Sequence, residues 1–120
     1  MKRDLDLIRK MVLAMEEAPT GYAPEPLFDG YTPAQVGYHA YLLVDAHFAK
    51  GYDVASHTSE GPEAIITSLT WAGHEFAEAA RDDTRWKNAM GLVKDKGGSV
   101  TIGVLTQLLI SLMKSTSGLP

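Results

Sequence analysis

The hydrophobic pattern changes its period in one stretch, YDVASHTSEGPEAIITSL, which covers residues 52–69. Residues 52–57 and 64–69 predict two short strands, and the second is rich in β-branched side chains. The residues between them, 58–63, contain a glycine, a proline and polar side chains that are typical of turns. This stretch therefore predicts a β-hairpin, whereas the sequence on both sides of it has helical spacing.

Two helices are predicted before the hairpin. Apolar residues at spacings of three and four predict a helix over residues 4–17, with Asp4 as its N-cap. Thr32-Pro33 opens a second helix, which continues to about Phe48 and is expected to break at Gly37. Between the two helices, residues 26–28 predict a very short strand.

The chain after the hairpin is predicted to be helical. Thr70 caps a helix whose apolar spacing continues to Val93, and the polar residues 81–84 predict a kink or a new helix start. Gly97-Gly98 ends this region. A last helix carries apolar side chains around much of its circumference: Ile102, Val104, Leu105, Leu108, Leu109, Ile110, Leu112 and Met113. Since one face of this helix suffices to cover the core, the other face predicts a homodimer.

The order helix, short strand, helix pair, hairpin and helix is that of a winged helix, a helix-turn-helix with a β-hairpin wing. We therefore predict an α+β, mainly helical chain in which residues 1–83 form a winged-helix domain. Residues 84–120 are expected to form a C-terminal helical extension packed on the same core. A length of 120 residues is about that of one domain.

Composition excludes several classes of protein. With 45% hydrophobic and 22% charged residues the chain is globular rather than disordered. It contains no cysteine, so it forms neither disulfides nor thiolate metal sites. We expect neither a signal peptide nor a membrane span, because Arg9 and Lys10 interrupt the apolar positions near the start and no apolar run approaches about 20 residues. We therefore expect a cytoplasmic protein.

Two stretches resemble parts of bacterial winged-helix regulators. Residues 38–46 resemble their recognition helix, and residues 69–76 resemble the junction between their wing and the following helix. A wider set of motifs resembles a family of small bacterial and prophage proteins known as a domain of unknown function. The motifs are MKRDLDLIR at residues 1–9, Gly30-Tyr31, Tyr38-His39, Gly73-His74-Glu75-Phe76 and Arg81-Asp82-Asp83-Thr84-Arg85-Trp86. The resemblance spans nearly the whole chain, and it implies a fold and a phage-associated context rather than an activity.

One segment departs from the pattern of such helices. Ala46-His47-Phe48 stands where Ala-Gly-Leu is common. Histidine tolerates the left-handed conformation less well than glycine, so we expect the end of this helix to differ.

Charge makes conventional DNA binding a poor fit for the second helix. A recognition helix needs donors for base edges and cations for phosphates. This helix instead offers Gln35, Tyr38, His39, Tyr41, Asp45 and His47, without Lys or Arg. The turn of the wing adds Glu60 and Glu63 and no cation.

Two hypotheses of function remain. The first is a protein–protein interaction module with an unidentified partner, and its candidate contact residues are Gln35, Tyr38, Tyr41 and Asp45. The second is a dimeric DNA-binding transcription regulator that uses the basic residues Arg81, Arg85, Lys87, Lys94 and Lys96. Each surface also has a purely structural interpretation. The tyrosines could pack against the appended helices, and the cations, interleaved with aspartates, could form a solvated helix face.

Enzymatic chemistry and metal binding are not expected. The four histidines are scattered, and His74 lacks the second histidine four residues later that a zinc protease needs. We expect His74 to fix the junction between wing and helix by hydrogen bonding. Asp82 and Asp83 point about 100° apart on a helix, which favours capping over a shared proton. No nucleophile elbow, phosphate loop or catalytic triad spacing occurs, so we predict no enzyme, no cofactor and no metal.

Overall fold

The computed structural model describes residues 1–98 and 100–117, with side chains to residue 114. The chain is α+β and mainly helical, as predicted, and in these residues it has five helices and one antiparallel hairpin. The elements are α1 (Leu5–Glu17), α2 (Pro33–Asp45), β1 (Ala49–Asp53), β2 (Ala64–Leu69), α3 (Trp71–Ala80), α4 (Asp83–Asp95) and α5 (Ile102–Ser117). None of the helices in this part of the chain is long and apolar enough to cross a membrane.

Side-chain caps set the starts of the first two helices, as predicted. The Asp4 carboxylate accepts the Leu7 N–H and caps α1. At α2 the Thr32 hydroxyl accepts the Gln35 N–H, while the Gln35 side chain accepts the Thr32 N–H, so both halves of a capping box are present. The expected break in α2 at Gly37 does not occur, because the helix runs without interruption from Pro33 to Asp45.

The C-terminus of α2 has the same backbone conformation as a helix that ends in glycine, contrary to expectation. His47 adopts a left-handed conformation, with φ of 64°. Its N–H donates to the Val44 carbonyl and the Phe48 N–H to the Leu43 carbonyl, the bond pair of a Schellman motif. The hydroxyl of Thr70 donates to the His47 carbonyl over 2.7 Å and stabilises this backbone.

The hairpin pairs Ala49 with Leu69 at its base and Asp53 with Ala64 at its tip. The first strand lies earlier than the predicted residues 52–57, because the Asp53 carboxylate accepts the Ala55 N–H and turns the chain out of the strand. Thr67 has no Cα partner in the register with β1, although its hydroxyl donates to the Lys50 carbonyl over 3.2 Å, and it forms a bulge in β2.

Residues 26–28 form no strand, contrary to prediction. The loop between α1 and α2 instead contacts the sheet through a single backbone bond in which the Ala23 N–H donates to the Thr67 carbonyl over 2.9 Å. That carbonyl belongs to the bulge, where β2 is not paired to β1.

The junction between β2 and α3 is closely packed. The Thr70 hydroxyl accepts the Gly73 N–H and caps α3, as predicted. A Cβ at Gly73 would overlap the Phe48 carbonyl oxygen, so only glycine fits there without a shift of the backbone. The rings of Phe48 and Phe76 stack with centroids 5.6 Å apart.

Backbone contacts divide the chain into two compact units, residues 1–77 and 78–120. In the first unit α1 and the hairpin pack on α2. Its largest fully buried side chains include Leu7, Val12, His39, Leu43 and Phe76. In the second unit α4 packs on α5. Its buried apolar side chains are Ala79, Ala80, Trp86, Ala89, Val93, Leu105 and Leu109.

Candidate functional site

Helix α2 has one buried face and one outward face. Val36, His39, Ala40 and Leu43 are buried. At 100° per residue, the opposite direction is that of Ala34, Tyr38, Tyr41 and Asp45. Three of the four predicted protein-contact residues therefore share the outward face of this helix.

The two tyrosines of this face lie against each other. The rings of Tyr38 and Tyr41 stack at 6.1 Å with planes 24° apart, and Tyr38 also meets the His39 ring edge-on at 5.8 Å. Each tyrosine is partly exposed, and Asp45 is exposed. A rigid aromatic pair with phenol groups in contact with water is typical of protein-binding surfaces.

Gln35, the fourth candidate, lies toward the side of this face, and its hydrogen bonds stabilise α2 itself. Its side-chain oxygen accepts the Thr32 N–H over 2.8 Å, and its carbonyl oxygen accepts a bond from the His39 ring. A substitution at Gln35 would therefore weaken the start of α2, and any loss of binding could not be separated from that effect.

The hairpin brings a carboxylate to α2. The side chain of Glu63 lies against Gly37, where an added Cβ would come within 3.2 Å of the Glu63 Cγ. Neither α2 nor the turn over residues 54–63 contains Lys or Arg. This surface is consequently aromatic and acidic, and a nucleic-acid phosphate would meet no cation on it.

His39 joins α2 to the start of α1. Its ring is 1% exposed, and Nε2 accepts the Asp4 N–H over 2.8 Å across 35 residues of chain. Its Nδ1 lies 2.8 Å from the Gln35 carbonyl and must donate to it. Since Nε2 accepts while Nδ1 donates, the geometry requires a neutral ring with its proton on Nδ1.

Tyr31 packs beside this junction. Burial raises the pKa of its phenol, and so do the negative charge of Asp4, a hydrogen bond to the Asp4 side chain and the charge of Asp6. The Lys10 ammonium lies over the Tyr31 ring, 5.5 Å from its centroid. The motifs at residues 1–9, 30–31 and 38–39 therefore converge on one structural contact, which no local sequence pattern indicated.

Two of the five predicted DNA-contact residues stabilise helix ends. The Arg85 guanidinium donates to the carbonyls of Ala79 and Glu78, the last turn of α3, over 2.8 and 3.3 Å. Arg81 forms an ion pair with Glu78. Asp82 caps α4 by accepting the Arg85 N–H, which confirms capping for Asp82, while Asp83 lies in the first turn of the helix.

The other three cations, Lys87, Lys94 and Lys96, are exposed. Lys87 and Lys94 lie seven residues apart on one side of α4, and Asp83 precedes Lys87 by one turn. The unit over residues 1–77 carries five Lys or Arg against eleven Asp or Glu, and the remaining residues carry six against four. The positive charge left for DNA is thus small and mixed with carboxylates.

The remaining histidines do not form a metal centre. His74 pairs through Nδ1 with Glu16, so this bond joins α3 to α1 and not the wing to α3 as expected. Within residues 1–98 and 100–117 no three or more His, Asp or Glu side chains converge as metal ligands would.

Sequence reasoning missed an apolar groove of about 280 Å³ in the first unit. It is lined by Met11, Met15, Ala23, Pro24, Glu25, Pro26, Phe28, Ile65 and Ile66. The methionines at i and i+4 were a signal for one of its walls. The facing strand and loop could not be assigned without the fold.

Comparison with known proteins places the chain in a family. Residues 2–99 match the family model described as "Hypothetical protein (DUF2513)". A protein of Haemophilus influenzae described as "Uncharacterized protein" is 32% identical over 111 residues, which cover 90% of this chain and 92% of the relative. No solved structure gives a significant match.

Proposed function

The chain belongs to the DUF2513 family, as its resemblance predicted, and we propose that it is a winged-helix module that binds another protein rather than DNA. The binding surface in this proposal is the outward face of α2 with the adjacent Glu63 of the wing. The proposal keeps the phage-associated, cytoplasmic context that the sequence led us to expect.

The winged-helix assignment in this proposal rests on part of the predicted order of elements, because the short strand at residues 26–28 and the helix pair are absent from the first unit. A helix, a loop that bonds to the second strand of the hairpin, a capped helix and the hairpin follow one another. In this arrangement α2 takes the place of the recognition helix and residues 54–63 form the tip of the wing.

The observation that carries the proposal is the stacked pair of Tyr38 and Tyr41 on a helix without cations. Stacking restricts both rings before a partner arrives, so binding loses little side-chain freedom. The carboxylates of Asp45 and Glu63 beside the pair favour a partner with positive charge and disfavour a phosphate backbone.

The test compares two double variants in which tyrosines are replaced by alanine. One removes Tyr38 and Tyr41, and the matched control removes Tyr22 and Tyr52, which are 75% and 55% exposed outside α2. Each variant is cross-linked in cells, and its bound proteins are quantified against the wild-type chain. We expect specific partners to be lost only when Tyr38 and Tyr41 are absent, while thermal melts show that both variants remain folded.

DNA binding is measured by fluorescence anisotropy with random duplex DNA at low and moderate ionic strength. We expect no micromolar binding even at low salt. Micromolar binding with a steep dependence on salt, abolished by Lys87→Glu with Lys94→Glu, would instead establish the regulator hypothesis. The two lysines are changed rather than Arg85, because Arg85 stabilises the end of α3.

A homodimer formed through α5 is part of the same proposal. Val104 of this helix is 58% exposed although it is apolar. Light scattering would show a dimeric mass for the wild-type chain and a monomeric mass for Val104→Lys. A monomeric wild-type chain at micromolar concentration would refute this part of the proposal alone.

A further inference from the structure

The groove in the first unit has apolar walls on three sides. Met11 and Met15 of α1 form one wall, Ile65 and Ile66 of β2 a second, and the loop residues 23–26 with Phe28 the third. Since a cavity of about 150 Å³ holds a benzene molecule, 280 Å³ accommodates one or two bulky apolar side chains. Methionine walls adapt to the shape of what they bind.

The unit that contains the groove is net negative, with five Lys or Arg against eleven Asp or Glu in residues 1–77. Glu25 is the charged residue that lines the groove, and Glu16 and Glu17 follow Met15 in the last turn of α1. That turn contains no basic residue, so the negative end of the helix dipole adds to these carboxylates. No Lys or Arg occurs in residues 11–49 or 51–80, and these ranges contain every residue that lines the groove.

We infer that this groove binds a cationic amphipathic segment of another protein, with one or two bulky apolar side chains seated among the methionines and a Lys or Arg side chain on the acidic rim at Glu25. The apolar walls and the acidic rim together favour this partner over others. A neutral ligand would gain nothing from the rim, and an acidic segment would be repelled by it. The groove shares no lining residue with the Tyr38–Tyr41 face, so binding at the two surfaces is separable.

Methionine methyl groups provide the probe. The chain has five methionines, of which Met11 and Met15 line the groove and Met1, Met90 and Met113 lie elsewhere. The full-length chain labelled with carbon-13 at these methyls is titrated with a synthetic Leu–Lys helical peptide of about 14 residues, or four turns. A twin peptide with Glu in place of Lys serves as the charge control.

We expect saturable shifts of the Met11 and Met15 signals with the Leu–Lys peptide and none with the Leu–Glu peptide. Shifts spread over all five methyls, or equal binding of both peptides, would overturn the inference. So would changes of the Met11 and Met15 signals on dilution of the chain alone, because a second copy would then occupy the groove.

Two pairs of variants locate the binding. Glu25→Lys changes the rim, and Glu60→Lys makes the same charge change in the exposed turn of the hairpin. Ile65→Thr changes the β2 wall of the groove. Its control, Val54→Thr, changes an apolar side chain outside the groove that is 40% exposed, against 45% for Ile65.

We expect Glu25→Lys to weaken the peptide by about fivefold or more relative to Glu60→Lys, and Ile65→Thr to weaken it relative to Val54→Thr. Equal effects within each pair would show that the peptide binds the acidic surface at large, and would refute a site in the groove. Neither change touches the Tyr38–Tyr41 face, so failure here leaves the proposed function standing.

Discussion

Replacing His39 by leucine tests whether a single side-chain bond holds the start of α1 on α2. Leucine keeps an apolar side chain of similar bulk in this buried place, but it offers no acceptor to the Asp4 N–H. The Gln35 carbonyl keeps its ordinary backbone partner within the helix. The substitution therefore leaves one half-buried donor without a partner.

An unpaired buried donor costs about 1–3 kcal/mol, and we take a value near 2 kcal/mol because Asp4 is only partly buried. Against a total free energy of unfolding of roughly 5–15 kcal/mol this is a large loss. It corresponds to a fall in melting temperature of roughly 6–12 °C for a chain of this size.

The assay is chemical and thermal denaturation of His39→Leu beside His57→Leu, which changes an exposed histidine in the turn of the hairpin. The control is expected to stay within about 0.5 kcal/mol of the wild-type chain. Nitrogen-15 spectra of the wild-type chain should show the His39 proton on Nδ1. A loss below about 0.5 kcal/mol for His39→Leu, or a proton on Nε2, would refute the reasoning.

Three further predictions concern backbone and titration. Gly73→Ala should destabilise by about 1–3 kcal/mol in denaturant melts, because its Cβ would overlap the Phe48 carbonyl. Gly91→Ala in α4 has open space and should stabilise by about 0.5–1 kcal/mol. His47→Gly should raise stability by about 0.5–1 kcal/mol, since it relieves a left-handed side-chain residue. The raised pKa of Tyr31 means that the folded state favours the neutral phenol, so stability should fall as pH rises above 10.0, and Tyr31→Phe should reduce that fall.

Each of these has a contrary result. Equal stability of the two glycine variants would mean that the Gly73 backbone is free to shift. A destabilised His47→Gly would mean that the imidazole makes a contact worth more than the backbone strain. For Tyr31, the check is an alkaline absorbance titration of the wild-type chain and of Tyr31→Phe. If the phenol that Tyr31→Phe removes ionises below its ordinary pKa, the raised pKa assigned to Tyr31 is wrong.

Local sequence signals predicted the helix starts well. The caps at Asp4, Thr32, Thr70 and Asp82 each join a side chain to a backbone N–H within three residues, so a short window contains both partners. The split between α3 and α4 follows from the same kind of signal, because the capping Asp82 starts a new helix. These features needed no knowledge of the rest of the chain.

Features that depend on distant partners could not be predicted. The start of β1 is set by pairing with a residue 20 positions later, Ala49 with Leu69, whereas its end carries the local bond from the Ala55 N–H to Asp53. The loop over residues 23–28 gains its backbone bond only from the bulge at Thr67, so a strand there was the wrong inference. Charge alone assigned Arg85 to a solvated or DNA-facing surface, whereas its guanidinium binds carbonyls of the preceding helix.

The candidate site was partly accessible from the sequence. The sequence predicted Tyr38, Tyr41 and Asp45 as candidate contacts of one helix, and the structure places them on the outward face of α2. The stacking of the two rings and the approach of Glu63 to Gly37 depend on the hairpin and on rotamers, which no pattern encodes. The groove is lined by three segments that are distant in sequence, α1, the loop over residues 23–28 and β2, so the sequence alone could not predict it.

The Arg85 bridge has a consequence for the order of folding. Its two bonds close loops of six and seven residues, between the side chain of one helix and the end of the helix before it. Closing such short loops costs little chain entropy, whereas the Asp4–His39 bond must close 35 residues. The corner between α3 and α4 can thus assemble within the time of helix formation itself, whereas the first unit must bring the start of α1 to α2. During synthesis, the nascent chain can form this helical corner as soon as residues 78–95 have left the ribosome.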